Sequence, residues 1–244
     1  MLTINAKTVN DAWFQLLTKA LEQDGEGEFV NAYPTGIIQR GSFELGQSRL
    51  QFPGVAVEIE YPDQDYCVVM PAGLENMAPT TLDKVESYFH EYILGDNVPE
   101  NTTYTYGSRI NVSLAGVIEM LQETPVTNQA VIEIGRPEDY DCCKGKDGKD
   151  DPPCLRLIDL KVRPAYKDGE LDRAASKLDL TVYFRSWDLF AGFPENLGGM
   201  SLLQQTISGV IGIPVGRMYA YSAGLHLYGY QKELAEIRTR MKAS

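Results

Sequence analysis

The chain carries four cysteines, and their thiols are the first side chains to consider as nucleophiles. They are Cys67, Cys142, Cys143 and Cys154. Three fall within residues 142–154, but their spacing does not give two CxxC motifs, and no histidine lies nearby in the sequence. A structural zinc site needs four nitrogen or sulfur ligands. We therefore expect no metal site. Since no secretory signal is recognised, the cysteines are interpreted as reduced thiols, and one of them is a candidate nucleophile.

Several polar motifs follow one another in the second half of the chain. Pro152-Pro153-Cys154 is followed by Arg185-Ser186-Trp187-Asp188, then by Gly192-Phe193-Pro194-Glu195-Asn196, and finally by His226-Leu227-Tyr228. Each motif alone has an ordinary structural explanation: an inert thiol, a solvated arginine at a strand end, a helix-capping asparagine, and a hydrogen-bonded pair on an edge strand. Their order and spacing together are much harder to attribute to accident.

This set of motifs resembles the core of the thymidylate synthase superfamily, which includes pyrimidine nucleotide hydroxymethylases. Its members have a Pro-Cys nucleophile, an Arg-Ser-x-Asp strand end, a Gly-x-Pro-x-Asn turn and a His-x-Tyr pair in this order. Upstream, Tyr104-Thr105-Tyr106-Gly107-Ser108-Arg109 is similar to the Tyr-Gly segment of the shorter archaeal-type members. The resemblance covers about residues 104–228 and identifies the chain as a short, divergent member.

The resemblance assigns the nucleophile to Cys154, and the chemistry of the pyrimidine ring explains why a thiol is suitable. Ring atom C5 is a poor nucleophile until a group adds to C6, and a thiolate both adds and leaves again. A free thiol has a pKa of roughly 8.5, so a neighbouring cation that lowers this pKa is useful. Arg185 is the natural candidate, because the matching arginine of the family lies beside both the nucleophile and the nucleotide phosphate.

The resemblance also implies the remaining contacts to the nucleotide. Ser186 would donate a hydrogen bond to a phosphate oxygen, and His226 and Tyr228 would bind the sugar hydroxyl. Asn196 would bind the base edge, because an amide both donates and accepts and so matches the N3–H and O4 of uracil. Related dCMP hydroxymethylases carry aspartate there, so Asn196 favours uracil over cytosine. Arg40 is a candidate for an early phosphate ligand.

Proton transfer and the second substrate add further candidates. Tyr106 matches the tyrosine implicated in removing the C5 proton, and Asp188 matches a residue near the folate pterin. The family also uses a glutamate on an early helix as a general acid–base through ordered water. Glu91 is similar to that position, but its distance from Gly95-Asp96 departs from the usual motif, so Glu86 stays an alternative. For either glutamate, a solvated place on a helix surface is an equally good interpretation.

The sequence also departs from the family pattern. Leu155 follows the nucleophile where most members have histidine, and the tryptophan-rich folate-contact segment is not recognisable. Asn128-Gln129 falls where the family's Arg-Arg pair reaches the phosphate across a dimer interface. Because two guanidinium groups make strong charge-assisted contacts with a phosphate, phosphate recognition must differ from the usual arrangement.

The leading hypothesis is an enzyme that adds a one-carbon unit to C5 of dUMP, with 5,10-methylenetetrahydrofolate or a related tetrahydropterin as cosubstrate. Thymidylate synthesis transfers and reduces the carbon, whereas a 5-hydroxymethylase of dUMP, dCMP or CMP stops earlier and lets water trap the methylene group. Asn196 puts the synthase ahead. The alternative from another class is a non-catalytic nucleotide-binding relative, motivated by Asn128-Gln129. The resemblance further implies a homodimer.

The sequence pattern around these residues predicts an α+β fold, in which a mixed β-sheet packs against helices. Apolar residues at helical spacing indicate helices, and alternating or short apolar runs between breakers indicate strands. The predicted helices are 8–21, 81–94, 111–123, 200–211 and the charged C-terminus. The predicted strands are 55–61, 130–134, 155–162, 178–185, 217–222 and 225–230, and residues 139–153 are predicted to form a solvated loop.

Composition bounds the remaining questions. With 244 residues and no recognisable repeat or linker, the chain fits a single domain, residues 1–244. The net charge of −12 argues against a nucleic-acid partner, because binding to a polyanion needs a basic surface. No apolar run approaches the roughly 18 residues of a membrane span, and residues 1–7 do not begin a secretory signal. We therefore expect a cytoplasmic protein without a membrane partner.

Overall fold

The computed structural model describes residues 1–36, 48–100, 102–140 and 152–242. Its helices are α1 (Val9–Leu21), α2 (Leu82–Tyr88), α3 (Gly107–Ile110), α4 (Leu114–Glu123), α5 (Gly192–Ile211) and α6 (Lys232–Thr239), with a π-helical segment at Phe89–Ile93. Its strands are β1 (Leu2–Ala6), β2 (Tyr33–Gly36), β3 (Ser48–Gln51), β4 (Val55–Ile59), β5 (Val131–Glu133), β6 (Leu155–Arg163), β7 (Tyr166–Lys167), β8 (Glu170–Leu171), β9 (Lys177–Phe184), β10 (Trp187–Asp188), β11 (Val215–Ser222) and β12 (Leu225–Tyr228).

A mixed sheet with the strand order β1-β4-β11-β9-β6-β5 forms the centre of the fold. The pairs β1–β4 and β9–β11 are parallel, and the other neighbours are antiparallel. The alternation predicted for residues 178–185 is confirmed in β9. Its fully buried residues are Leu178, Leu180, Val182 and Phe184, while Thr181 and Tyr183 on the other face are half-buried. The mixed sheet with its packed helices confirms the predicted α+β class.

Helices cover one face of this sheet and complete the core. In α1, the Thr8 hydroxyl caps the helix by accepting a hydrogen bond from the Asp11 N–H at 3.3 Å. Burying a large apolar side chain contributes on the order of 1.5–3 kcal/mol, and α1 buries Trp13, Leu16 and Leu17 completely. A contiguous cluster of buried apolar residues runs from β1 to α6.

Two helix boundaries differ from the prediction. Residues 81–94 are not one regular helix, because α2 passes into the π-helical segment at Phe89–Ile93. The predicted helix 200–211 is part of the longer α5, which begins at Gly192. Its first turns carry polar residues that hide the helical pattern, and Pro194 is tolerated there because a first-turn N–H has no partner within the helix. Asn196 therefore lies within α5 and does not cap it.

A smaller sheet with the order β10-β12-β3-β2 lies beside the central one. β10 pairs with β12 in parallel, and β12 pairs with β3 in antiparallel fashion. Cys142, Cys143 and Arg40 lie outside the described residues, as does most of the predicted loop 139–153. Within the described ranges, no helix is long and apolar enough to cross a membrane.

Candidate active site

A cavity of about 240 Å³ lies where the ends of β9 and β10, the start of β6, the N-terminal turns of α5 and strand β12 meet. Of the residues predicted for the site, all that the structure describes line this cavity except Glu91. Its lining consists of Tyr106, Cys154, Arg185, Ser186, Trp187, Asp188, Gly192, Asn196, His226 and Tyr228. Segments that are far apart in the sequence thus bring a thiol, a guanidinium, an amide and an imidazole to one place.

Cys154 directly precedes β6, and its neighbours fix its backbone. The Cys154 carbonyl accepts a hydrogen bond from the Arg185 N–H at 2.9 Å, and the Leu155 N–H donates to the Tyr106 hydroxyl at 3.2 Å. The thiol is half-buried and not part of a disulfide. This backbone anchoring holds the sulfur at the cavity wall.

The Arg185 guanidinium is held by the two prolines that precede the cysteine. Its Nε donates to the Pro153 carbonyl at 3.3 Å and its Nη2 donates to the Pro152 carbonyl. A positive charge at the same cavity as the thiol favours the thiolate form of a cysteine. The sequence around Cys154 therefore positions both the candidate nucleophile and its cation.

Tyrosines form the wall on the side of α2 and α3. The Tyr106 ring lies 5.0 Å from the Tyr92 ring and 5.9 Å from the Tyr104 ring, measured between centroids. Burial, followed by the nearby charge of Cys154, raises the pKa of Tyr106 well above its ordinary value. Tyr106 is therefore a neutral phenol at neutral pH, whose oxygen accepts from Leu155 and whose O–H can donate.

Asn196 makes a hydrogen bond on each side of its amide. Its Oδ1 accepts from the Trp187 indole N–H at 2.9 Å, and its Nδ2 donates to the Tyr88 hydroxyl at 2.7 Å. One amide hydrogen and one oxygen lone pair are not used by these two bonds. The half-buried amide can therefore still donate once and accept once in the cavity.

His226 presents a neutral ring with a defined tautomer. Its Nδ1 lies 2.8 Å from the Gly224 carbonyl oxygen, and since a carbonyl only accepts, Nδ1 carries the proton. Nε2 is buried without a hydrogen-bond partner among the described residues. Burial lowers the pKa of His226, the Gly224 bond opposes this, and the charge of Arg49 lowers it further. His226 can therefore accept a hydrogen bond from a ligand hydroxyl.

Asp188 links β10 to the start of α5. Its Oδ1 accepts from the Phe190 N–H at 2.9 Å, and its Oδ2 accepts from the Gly192 N–H at 3.4 Å and from the Gln231 amide at 3.2 Å. These bonds satisfy backbone groups at the N-terminus of the helix. Asp188 therefore has a structural role at this junction in addition to the predicted one.

The predicted acid–base glutamates do not line the cavity of Cys154. Glu91 is exposed in the π-helical segment and accepts a hydrogen bond from the Ser87 hydroxyl at 3.0 Å. Glu86 is exposed too, and its charge contributes to a raised pKa of Cys67, whose first cause is burial. Glu91 borders the larger neighbouring cavity, so the choice between the two glutamates stays a prediction.

This larger cavity, of about 910 Å³, lies between α2, the π-helical segment and the start of α5. Tyr88 lines it and also binds Asn196, so the two cavities share one wall. Glu195 lines it as well, and burial, helped by the charge of Asp188 and opposed by Lys84, raises the pKa of Glu195. Polar and aromatic side chains therefore continue beyond the smaller cavity.

Sequence reasoning missed Tyr88, Glu195 and Arg49 as residues near the site. Arg49 lies opposite Tyr228 in the β3–β12 pair, and its Nε is buried without a hydrogen-bond partner in the described part of the chain. Only the place of Glu195, next to Asn196, offered a signal in the sequence. The described residues contain no cluster of three or more His, Cys, Asp or Glu that could hold a metal ion.

A thiol with an arginine at the same cavity is an arrangement suited to an enzyme that acts through a covalent cysteine adduct. A family model described as thymidylate synthase matches residues 95–243. The chain therefore belongs to the thymidylate synthase family, which confirms the resemblance seen in the sequence.

Three proteins similar to this chain come from species of Methanosarcina and Methanothermobacter. A protein named "Putative thymidylate synthase" from Methanosarcina acetivorans is 28% identical over 240 residues, which cover 96% of this chain and 92% of the relative. A relative of the same name from Methanosarcina barkeri is 27% identical over the same shares. Another, from Methanothermobacter thermautotrophicus, is 26% identical over 160 residues, or 63% of each chain. The similarity to the two Methanosarcina proteins is low but extends over nearly the whole sequence.

Proposed function

We propose that this protein is a thymidylate synthase that transfers a one-carbon unit to C5 of dUMP, with Cys154 as the nucleophile. The observation that carries the proposal is the convergence of Cys154, Arg185, Asn196 and His226 on one cavity of about 240 Å³. Each of these side chains has the hydrogen-bonding or nucleophilic capacity that one part of a uracil nucleotide requires.

Cys154 begins the chemistry. Addition of its thiolate to C6 makes C5 nucleophilic, and loss of the C5 proton after carbon transfer expels the thiolate again. Tyr106 is suited to relay that proton, because it is a neutral phenol that accepts from Leu155 and keeps its own O–H available. The carbon itself and, for synthesis of thymidylate, the reducing hydride would come from 5,10-methylenetetrahydrofolate.

The nucleotide is oriented by groups on three sides of the cavity. Asn196 pairs with the base edge, and Arg185 and Ser186 bind the phosphate. His226 accepts a hydrogen bond from the sugar hydroxyl through Nε2, which has no partner among the described residues, and Tyr228 lies edge-on at 4.6 Å between ring centroids. The proposal is supported by the fixed tautomer of His226, which leaves an acceptor where a hydroxyl donor is expected.

The larger cavity of about 910 Å³ fits a folate cosubstrate in size and donor set. The aromatic rings of Tyr88 and Tyr92 offer stacking surfaces, and the Glu195 carboxyl offers an acceptor for the N–H groups of a pterin. Asp188 lines the smaller cavity. These residues are the ones we expect to hold the folate.

The phosphate and the homodimer are linked in this proposal. Asn128 and Gln129, which replace the family's Arg-Arg pair, are exposed at the approach to β5. The outer face of the central sheet carries Tyr219 and Tyr221, and Tyr221 is 39% exposed. We assign the dimer contact to this face, and phosphate binding to Arg185 together with Arg40.

The nucleophile can be tested without any folate. We expect the wild-type protein to dehalogenate 5-bromo-dUMP in the presence of dithiothreitol and to release tritium from C5-labelled dUMP, and Cys154→Ser to lose both activities by at least about 100-fold. Cys67→Ser is the matched control, because Cys67 is a described cysteine outside the cavity. Equal rates for wild type and Cys154→Ser would overturn the proposal.

The fate of the carbon is tested separately. Wild-type protein is incubated with methylenetetrahydrofolate and dUMP, dCMP, UMP or CMP, and the products are weighed by mass spectrometry. A gain of CH2 on dUMP supports thymidylate synthesis, whereas a gain of CH2O on any nucleotide would replace it with hydroxymethylation. No product with any nucleotide would favour a non-catalytic nucleotide-binding protein.

A further inference from the structure

The Asn196 amide is held in one orientation by partners of different character. The Trp187 indole nitrogen only donates hydrogen bonds, so the atom that faces it at 2.9 Å must be the amide oxygen. The amide nitrogen then faces the Tyr88 hydroxyl, 2.7 Å away. Reversing the amide would set its NH2 group against the indole N–H, with no acceptor between them.

These partners are themselves fixed by packing. Trp187 is 3% exposed, stacks on Phe184 with 4.0 Å between ring centroids and an angle of 8°, and contacts Phe193 at 4.6 Å. The Tyr88 ring stacks on Tyr92 at 5.4 Å. Since neither ring can turn without disturbing the core, the hydrogen-bonding direction of Asn196 is set before any ligand binds.

We propose that Trp187 is a positioning residue that sets the direction of the Asn196 amide, while Tyr88 holds the amide in place, and so makes the site specific for a uracil ring and rejects a cytosine ring. The fixed amide has one N–H and one oxygen lone pair left. Uracil matches them with its O4 acceptor and N3–H donor, whereas cytosine presents an amino donor and an N3 acceptor, the reverse pattern. A cytosine nucleotide would need the reversed amide and hence the loss of the Trp187 hydrogen bond, whereas the Tyr88 hydroxyl, which can donate or accept, could bind either end of the amide.

This inference rests on the proposed function and adds residues that the Arg-Ser-x-Asp motif does not assign. Trp187 occupies the x position of that motif. Because the residue at the x position can be of any type, the motif itself predicts no role for Trp187. Among the described residues, however, Trp187 supplies the only indole N–H at the cavity that contains Cys154. The amide alone can pair with either ring, and its indole partner decides which one.

The test measures dissociation constants of dUMP and dCMP by calorimetry on the full chain, in the absence of folate. Trp187→Phe keeps a stacked ring but removes the N–H donor. We expect the ratio of the dCMP to the dUMP dissociation constant to fall about tenfold, because the amide can then reverse while the Tyr88 hydroxyl donates to it instead of accepting. Tyr88→Phe leaves the indole donor in place and should keep the ratio near its wild-type value.

Trp13→Phe is the matched control. It removes another buried indole hydrogen bond, from Trp13 Nε1 to the Phe190 carbonyl at 3.1 Å, and should leave the ratio unchanged. A general loss of stability would weaken the binding of dUMP and dCMP alike and would not alter the ratio of their dissociation constants.

The outcomes separate this inference from the proposed function. If dUMP binds and Trp187→Phe keeps the wild-type ratio, the inference is overturned while the proposed function stands. A wild-type protein that binds dCMP as tightly as dUMP also overturns it. If wild type binds neither nucleotide, the proposed function fails and the inference fails with it.

Discussion

Burial and one backbone hydrogen bond determine the protonation state and the tautomer of His226. Its Nδ1–H is bound to the Gly224 carbonyl, and burial lowers the pKa of the ring below its ordinary value of 6.5. In the unfolded chain this histidine recovers the ordinary pKa. Above pH 6.5 both states are neutral, so the residue contributes no pH dependence there.

The sign of the effect at lower pH follows from proton linkage. Between pH 6.5 and the lowered pKa of the folded state, the unfolded chain binds a proton that the folded protein does not, so stability falls as the pH falls. We expect His226→Gln to remove this part of the acid sensitivity. Thermal unfolding of both proteins from about pH 7.5 to about pH 5.5 measures it as a smaller drop in Tm for the variant.

His90→Gln is the control for this prediction. His90 is the other histidine of the chain and is exposed in the π-helical segment, so its replacement should preserve the wild-type pH profile. Parallel profiles for wild type and His226→Gln would contradict the assignment.

At the residue scale, the sequence allowed prediction of those side chains whose residue type indicates their chemical role. Cys154, Arg185 and Asn196 could be predicted because nucleophile, cation and amide occur in an ordered set of motifs. Arg49 and Tyr88 could not, because they reach the site only through the β3–β12 register and the packing of α2 against α5. Register and helix packing depend on long-range contacts that no local pattern encodes.

At the scale of elements, the π-helical segment is coupled to the tyrosine wall through Gly95. A Cβ atom at Gly95 would overlap the Glu91 carbonyl, and one at Gly107 would overlap the Gly95 carbonyl. The Gly95 carbonyl also accepts a hydrogen bond from the Thr105 hydroxyl at 2.6 Å. The segment that contains Tyr106 therefore packs directly against the end of the π-helical segment.

We expect Gly95→Ala to destabilise the protein by about 1–3 kcal/mol, the usual cost of forcing an atom into a packed site. It should also reduce activity, because moving the Gly95 carbonyl moves the segment that carries Tyr106. Urea unfolding gives the free energy, and the dehalogenation rate gives the activity.

Gly116→Ala is the opposite case in the same part of the chain. Gly116 lies in α4, and a Cβ atom added there would meet no other atom within 4 Å. Alanine should therefore stabilise the helix by about 0.5–1 kcal/mol. If both substitutions have the same effect, the close approach at Gly95 is not important.

Elements with strong periodicity were predictable, and those shaped by the site were not. The buried face of β9 and the capped start of α1 follow from local sequence alone. The start of α5 was missed because Gly192, Pro194 and Asn196 serve the cavity instead of an apolar stripe. Functional residues thus interrupt the patterns on which prediction depends.

At the scale of the whole molecule, the outer face of the central sheet is the surface assigned to the dimer. Tyr221 and Tyr183 are neighbours in the β9–β11 register, and Thr181 and Tyr219 on the same face are half-buried. We expect wild type to sediment at about twice its chain mass of 27.2 kDa. Tyr221→Lys should produce monomers, because it places a charge beside Ala56 and Tyr183, the uncharged neighbours of Tyr221 in the sheet.

Tyr166→Lys serves as the control for dimerisation. Tyr166 is 63% exposed on the β7–β8 hairpin, away from this face, and its replacement should leave the sedimentation unchanged. A monomeric wild type at micromolar concentration would contradict the assigned dimer face.

The parallel pairing of β10 with β12 has a consequence for altering this site. The backbone N–H of Trp187 donates to the Gly224 carbonyl at 3.0 Å, and the backbone N–H of Leu189 donates to the His226 carbonyl at 2.7 Å. This pair of strands carries Trp187, His226 and Asp188, to which the proposed function gives the partner of the base amide, the sugar contact and a folate contact. If these roles hold, we expect that selectivity for base, sugar and cosubstrate cannot be adjusted one at a time, because a backbone shift at one residue is transmitted to the others.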